Sequence, residues 1–472
     1  MRGQVVAAIQ GHFLKAFTAV IAAPIPVGLY YGEPWSGLMG FVYASVACLV
    51  LALSLNKIGE YREPSVGEAM IATVTGWMIA IVLGAIPFML EVSITNSIFE
   101  SAAGLTTTGI SIFLRPENLP NSLLFWRALM QWVGGLGVLT FFIAVIRESG
   151  GISRKLFSAE THKTDPGSIR PSLKKSILEL WKVYIFITGL FIAIYAALGM
   201  GLFDAVAHSF SGISTGGFST TGASMSAFNT GIQTVTIALM FLGGMNFVLI
   251  YKGLNFDTSI IKNSEFRLYS KVFLAFSGLF MLDIWRQGLD FTALDAVFQS
   301  ASVLSSTGYG TMGLLGLSVF MQFMLVALMF MGGSLGSTSG GVKTFRVLTL
   351  VELLKTRLRA YSLPDTAINE VKIDGQILEN EAIRTVSVLF FTWIMIIVAG
   401  TGLVMFIEDM TFMAALSGTV SAAGNMGPVF MEGTDMVGLS DSVKLIWTFI
   451  MLAGRLEMLP VLAIFNREVL SS

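Results

Sequence analysis

Ser305-Ser306-Thr307-Gly308-Tyr309-Gly310-Thr311 is a polar, glycine-punctuated stretch between two apolar runs. Glycine takes up positive φ without the usual steric cost, so such a strip can aim successive backbone carbonyls in one direction. At membrane depth, irregular backbone is tolerated only where protein or a water-filled cavity covers it. One strip cannot enclose anything. A ring needs three more, from identical chains or from repeats within this one.

The chain supplies three. They are Thr107-Thr108-Gly109-Ile110-Ser111, Thr215-Gly216-Gly217-Phe218-Ser219 and, most degenerate, Ala423-Gly424-Asn425-Met426. Taking Gly109, Gly217, Gly308 and Gly424 as the centres, the separations are 108, 91 and 116 residues. These are too long for a solenoid repeat and suit a small membrane module. Thirteen residues before each centre stand Asn96, Asp204, Asp295 and Thr411, all of them favoured helix N-caps. The spacing predicts a helix of about ten residues running into each loop, too short to cross a bilayer and therefore re-entrant. Downstream come the small-residue pairs Gly134-Gly135, Gly243-Gly244, Gly332-Gly333 and Ala453-Gly454, whose second members lie 26, 27, 25 and 30 residues past the centres. A single such loop reads equally well as a turn; four in register do not.

Thr307-Gly308-Tyr309-Gly310 also approaches the Thr-Val-Gly-Tyr-Gly pattern whose carbonyls replace the hydration shell of a potassium ion in channels. Two other segments stand out. One is Gly332-Gly333-Ser334-Leu335-Gly336-Ser337-Thr338-Ser339-Gly340-Gly341-Val342-Lys343-Thr344, and the other is Gly454-Arg455-Leu456-Glu457. With these and the four loops, nearly the whole chain resembles the Trk/Ktr/HKT superfamily of potassium transporters, most closely its TrkH type. The resemblance implies an all-α integral membrane protein with a pseudo-fourfold, potassium-channel-like pore of four helix–pore loop–helix repeats and an N-terminal helical hairpin. The expected divisions are 1–62 for the hairpin, then 63–160, 161–256, 257–360 (with an interrupted second helix) and 361–472 for the repeats. It further implies potassium uptake across a bacterial cytoplasmic (inner) membrane, a homodimer, and a cytosolic TrkA-type regulatory subunit that binds NAD or ATP/ADP. Potassium is then the transported ion and the chain itself carries no cofactor.

The expected ion-binding residues are Thr107, Thr108, Gly109 and Ile110; Thr215, Gly216, Gly217 and Phe218; Ser306, Thr307, Gly308 and Tyr309; and Ala422, Ala423, Gly424 and Asn425. In plant members of the superfamily a serine at the first filter-glycine position goes with sodium transport. Glycine at all four centres therefore implies a preference for potassium, while the degenerate fourth loop keeps a sodium-permeable alternative open.

Composition agrees with a membrane protein. Of 472 residues, 54% are hydrophobic and 12% charged, about half the charge of an average soluble domain. A net charge of −1 implies no attraction to nucleic acid. Cys48, the sole cysteine, reads as packing, and His12, His162 and His208 are too scattered for a metal site. No nucleophile motif or paired carboxylates within one span favour a membrane-embedded enzyme, and a mere scaffold has no need of four filter repeats.

Apolar segments at 14–31 and 36–55 form the hairpin, the first broken by Pro24 and Pro26; a cleaved signal peptide is the alternative reading. Spans then fall near 69–90 and 123–146, 181–202 and 231–251, 267–285 and 314–333 (resuming at 342–356), and 385–406 and 443–465. This makes ten spanning helices. With the N-terminus inside, the inner segments hold 24 of the 29 Lys and Arg residues, as positive-inside orientation requires. The outer loops then carry Glu33, Glu91, Glu117, Glu408, Asp409, Glu432, Asp435 and Asp441, an acidic mouth that concentrates cations. The polar inner loops 147–180 and 357–384 are the expected docking surfaces.

Residues 332–341 hold five glycines, three serines, a threonine and a leucine. At about 1 kcal/mol per glycine a helix does not persist through them. The run loops out beneath the filter as a gate, whose members are Gly336, Ser337, Thr338, Ser339, Gly340 and Gly341 together with Lys343 just beyond it. A phosphate-binding loop is the rival, but Val342 separates Gly341 from Lys343 where that motif needs adjacency. Arg455 stands in an apolar span, where a charge costs about 2.5–3.5 kcal/mol on insertion scales. It faces the pore as a barrier, or else makes a structural salt bridge with another helix.

Overall fold

The computed structural model describes residues 3–60, 62–148, 173–362, 364 and 369–466. The chain opens with α1 (Gly3–Ala22) and α2 (Pro24–Tyr30), which break apart at Ala23. Pro24 lacks an N–H and so fits the first turn of a new helix rather than the interior of an old one. Next, α3 (Trp35–Ile58) turns back along α1. Leu14, Phe17 and Ile21 pack with Leu38, Phe41, Ala44, Cys48 and Ala52 in the core, and the Cys48 thiol lies 3.3 Å from Leu14 O. The opposite side of α3 exposes Val46, Leu49, Val50 and Leu53. An apolar outward stripe on a helix with an apolar core stripe is the signature of a lipid-facing span.

Four similar units follow. The first holds α4 (Val66–Ala85), α5 (Ile94–Leu105) and α6 (Asn121–Glu148). The second holds α7 (Leu173–Ala197), α8 (Leu202–Ile213), α9 (Thr230–Gly243) and α10 (Phe247–Leu254). The third holds α11 (Ser264–Gln287), α12 (Ala293–Leu304), α13 (Val319–Met331) and α14 (Thr344–Ala360). A two-stranded antiparallel hairpin, β1 (Lys372–Ile373) and β2 (Gln376–Ile377), precedes the fourth unit. That unit holds α15 (Asn380–Ile407), α16 (Phe412–Gly424), the short α17 (Gly433–Gly438), α18 (Asp441–Arg455) and α19 (Leu459–Ala463). The protein is an all-α integral membrane protein with four pore-type repeats.

Among the described residues, six helical segments are long and apolar enough to cross a membrane, and a seventh is the pair α9 and α10, bent by 113°. The remaining expected spans lie at α6, at α13 with α14, and at α18 with α19. Two expectations need correction. Interruption is not confined to the third unit. The helix expected over 231–251 breaks beside Gly243-Gly244, and the one over 443–465 breaks after Arg455, where Glu457 and Met458 have φ of 60° and 62°. Secondly, three of the four helix caps lie upstream of the residues expected. Ser93 caps α5, Gly201 precedes α8 and Thr292 caps α12, whereas Thr411 does cap α16. Asp295 instead closes a capping box with Thr292.

Burial is inverted relative to a soluble domain. Phe391, Met395, Val398, Leu403 and Phe406 of α15 are exposed. At the centre, Thr106, Thr107, Ser214, Thr215, Ser305, Ser306, Ser421 and Asn425 are all fully buried. The short helices carry this polar centre and the long ones shield it. The expected docking loop at 147–180 falls mostly at 149–172, outside the described residues. In the other, 357–384, Val371, Ile373 and Leu378 cluster with Phe345 and Leu335.

Candidate functional site

Each short helix ends in the same backbone turn. Thr107, Thr215, Ser306 and Asn425 have φ of 53°, 54°, 57° and 50°, and two residues on Gly109, Gly217, Gly308 and Gly427 have φ of 78°, 79°, 84° and 96°. The fourth loop is therefore centred on Gly427. Ala422, Ala423 and Gly424 form the last turn of α16, and of the four residues expected there only Asn425 lies in the loop. On this register the residue preceding each short helix is 16 residues before the loop glycine, at Ser93, Gly201, Thr292 and Thr411. The small-pair spacings also tighten, to 26, 27, 25 and 27 residues.

The loops close on one another in order. A Cβ added at Gly109 would overlap Gly216 O, at Gly217 Thr307 O, and at Gly308 Met426 O. At Gly427 it would lie 3.1 Å from Thr108 O. Each glycine thus sits against the carbonyl that precedes the glycine of the next repeat, and the fourth returns to the first. The residues after the glycines, Ile110, Phe218 and Tyr309, are buried side chains that anchor the loops. Tyr309 Oη donates to His208 O at 3.1 Å, and Ser302 Oγ donates to Tyr309 O at 2.6 Å. Asn425 Nδ2 donates to Thr108 Oγ1 and to Met451 O, both at 2.9 Å. This side chain, assigned in the sequence to an ion-binding place, joins the fourth loop to the first.

Two supports on α6 escape a sequence search built on the loops alone. Gln131 Nε2 donates to Gly216 O at 2.7 Å, and its Oε1 accepts Phe218 N at 3.1 Å. Arg127 pairs with Glu100 at 2.8 Å, both side chains being buried, and donates to Ser219 O at 2.9 Å. Its guanidinium lies 4.1 Å from the Phe218 ring centroid. The signal available in sequence was an Arg and a Gln one turn apart in an apolar span. Glu100→Ala strands a buried guanidinium, which typically costs about 3–5 kcal/mol. We expect a lowered melting temperature, measurable by thermal aggregation in detergent, and restored in part by Arg127→Met in the same chain.

The small pairs permit close approach. A Cβ at Gly134 would overlap Leu105 O, and one at Gly454 would overlap Ala423 O. These are carbonyls at the ends of α5 and α16, so the second helix of the repeat presses on the C-terminus of its short helix.

Residues 332–343 cross this same region between α13 and α14. Thr338 Oγ1 donates to Ile213 O at 2.8 Å and to Gly243 O at 3.1 Å, both in the second repeat. Ser339 Oγ lies 2.8 Å from Ser306 Oγ, and Gly340 N donates to Ser306 Oγ at 2.7 Å, in the third. A Cβ at Gly340 would overlap Gly424 O in the fourth. Arg455 completes the crossing. Its guanidinium donates to Thr338 O at 2.7 Å and to Gly134 O, in the first repeat, at 3.2 Å. Lys343 Nζ donates to Ser339 O within the segment. Gly336 and Ser337 lie at its far end, where Gly336 O accepts Phe247 N at 3.2 Å and Ser337 Oγ donates to Ser334 O. Gly341 packs on Gly332.

The alternative reading of Arg455 as half of a salt bridge does not hold among the described residues. Glu457, two residues on, pairs with Arg346 of α14. Arg455 is held by carbonyls and is 4% exposed, so its charge is not cancelled by a carboxylate in direct contact.

The chain is similar to known proteins over nearly its whole length. A family model described as TrkH, cation transport protein, matches residues 39–277 and 289–471. The Trk system potassium uptake protein TrkH of Salmonella typhimurium is 28% identical, with 99% of each chain covered. TrkI of Halomonas elongata, also named a Trk system potassium uptake protein, is 30% identical over 94% of this chain and 92% of its own. An uncharacterized cation transporter of Methanocaldococcus jannaschii is 28% identical, with 97% and 94% covered. The crystal structure of the potassium transporter TrkH from Vibrio parahaemolyticus superposes with a TM-score of 0.89 at 25% identity, covering 99% of this chain and 100% of that one.

Proposed function

The chain belongs to the TrkH family of cation transport proteins, and from that premise we propose that it takes up potassium through the ring formed by its four loops. One observation carries this reading: each loop glycine meets a carbonyl of the next repeat, and the fourth meets the first. A closed set of backbone oxygens can replace an ion's water without adding net charge. The short helices direct their negative C-terminal ends toward the same place. The filter in this reading comprises Thr107 to Ile110, Thr215 to Phe218, Ser306 to Tyr309, and, on the revised register, Asn425 to Pro428.

Beneath the filter, residues 336–343 and Arg455 act as the gate. Its contacts with all four repeats support a blocked resting path. Shortening the segment by several residues while keeping α13 and α14 is expected to raise flux. Equal or lower flux from a correctly folded variant would count against a gate.

The orientation that fits the Lys and Arg distribution has a cytoplasmic N-terminus in a bacterial inner membrane. A homodimer and a cytosolic TrkA-type subunit binding NAD or ATP/ADP complete the reading, since several relatives are named as parts of Trk systems. The test is flux in proteoliposomes with potassium, rubidium and sodium in turn. Potassium and rubidium are expected to pass in preference to sodium. Equal passage of sodium favours the weakly selective alternative, and no flux of any of the three sinks the transport reading.

A further inference from the structure

Just past the ring, every repeat ties its loop back to its own short helix, always at the residue three after the loop glycine. In the first repeat this is Ile112, whose N–H donates to Glu100 at 3.0 Å, and in the fourth it is Phe430, whose N–H donates to Ser417 Oγ at 2.9 Å. The second and third repeats make the tie with side chains. Thr220 Oγ1 donates to Asp204 Oδ1 at 2.7 Å, and Thr311 Oγ1 donates to Asp295 Oδ1 at 2.6 Å. Asp204 and Asp295 occupy the same place on α8 and α12, the third helical position, 13 residues before their glycines. Their spacing first suggests helix caps. Their carboxylates reach instead across to the descending end of the loop.

The third-repeat pair is locked from a second side, and the second-repeat pair has a histidine tie beside it. Asp295 Oδ2 accepts Thr292 N at 2.9 Å and Thr292 Oγ1 at 2.7 Å. On α8, His208 Nδ1 lies 2.8 Å from Asp204 O and its Nε2 lies 2.9 Å from Ser219 Oγ, the neighbour of Thr220. In the third repeat the carboxylate that holds the Thr311 hydroxyl is itself fixed, and in both repeats the hydroxyl cannot drift without breaking a charge-assisted bond.

We propose that Asp204–Thr220 and Asp295–Thr311 are positioning pairs that set ion discrimination. They hold the second and third loops outward and stop the oxygens closing on a smaller ion. Neither pair touches the ion, so they act through the loops. Sodium is smaller than potassium and gains most from a ring that can contract; a loosened loop therefore favours sodium. The inference rests on the filter reading above and concerns the discrimination of that same site.

The experiment is the potassium-to-sodium flux ratio in proteoliposomes of the full chain, for Thr311→Val and Thr220→Val with Thr311→Ser and Thr220→Ser beside them. Valine keeps the shape and removes the hydroxyl, whereas serine keeps the hydroxyl. The ratio is expected to fall about tenfold in each valine variant, the scale of one hydrogen bond to a charged group, and to stay near the parent value in each serine variant. Asp295→Ala combined with Thr311→Val is expected to be no worse than Asp295→Ala alone. An unchanged ratio in both valine variants overturns the proposal, as does an equal fall in the serine variants. Valine variants that fail to fold while the serine variants fold assign the pairs to stability alone and also overturn it. A parent protein without potassium preference strikes the filter reading itself, a result distinguishable from all of these.

Discussion

Replacing Arg455 by alanine is expected to raise basal potassium flux by about tenfold or more, the change that 1.4 kcal/mol off a barrier produces. The Arg455 guanidinium donates to two carbonyls, Thr338 O and Gly134 O, and its Nε has no hydrogen-bond partner among the described residues. Glu457 is engaged by Arg346. A full positive charge therefore stands beside the crossing segment. At an effective dielectric of about 20, a unit charge 4 Å away repels a passing cation by roughly 4 kcal/mol. The short-helix dipoles offset part of this, which is why the expected gain is set well below the full repulsion. Alanine also releases Thr338 O, one of the ties that hold the segment across the path. Arg455→Lys keeps the charge and loses the planar fork, so it should leave most of the barrier in place. Flux and melting temperature measured on one preparation separate the outcomes. Lost stability with no gain in flux would mean that Arg455 holds the helices together and does not oppose the ion.

The parts of this architecture legible in the sequence are those written as repetition. Four glycine loops, four small-residue pairs and the Gly/Ser run at 332–341 each carry a local cost that a plain helix bundle would not bear. The fourth register was less legible because two glycines, Gly424 and Gly427, stand three residues apart. Alanine is the best helix former, so Ala422 and Ala423 carry α16 onward to Gly424. Asn425, a residue that tolerates the left-handed region, then makes the turn that Thr107, Thr215 and Ser306 make elsewhere.

The cap positions failed for a related reason. Asp is favoured both at the cap and in the first turn of a helix, so Asp204 and Asp295 could be read either way from type alone. The pattern Thr292-x-x-Asp295 was the deciding sign in the third repeat. Contacts between repeats, such as Gln131 with Gly216 or Arg455 with Gly134, leave no local mark. They join residues 85 and 321 positions apart, and only the folded ring brings them together.

Serine in place of glycine should grade Gly308, Gly427 and Gly424 by how tightly the surroundings close on each. At Gly308 the φ is 84°, and a Cβ would overlap Met426 O and come within 3.3 Å of Gly427 Cα. Both are backbone atoms in a closed ring, and neither can yield without moving the next loop. Left-handed backbone also costs an ordinary residue about 1–2 kcal/mol. Gly308→Ser is therefore expected to remove most of the preference for potassium over sodium, and with it much of the potassium flux. At Gly427 the φ of 96° is again unfavourable, but the nearest atom, Thr108 O, lies 3.1 Å away. The loss there should be smaller. At Gly424, within α16, the three atoms nearest an added Cβ all belong to the side chain of Met426, the closest 2.9 Å away. A flexible thioether can turn aside, so Gly424→Ser should disturb discrimination least. Potassium, rubidium and sodium flux on the three variants, with expression matched, gives the order directly. If Gly424→Ser proves as damaging as Gly308→Ser while Gly427→Ser is tolerated, the fourth loop is centred on Gly424 after all, and the ring closes differently from the contacts described above.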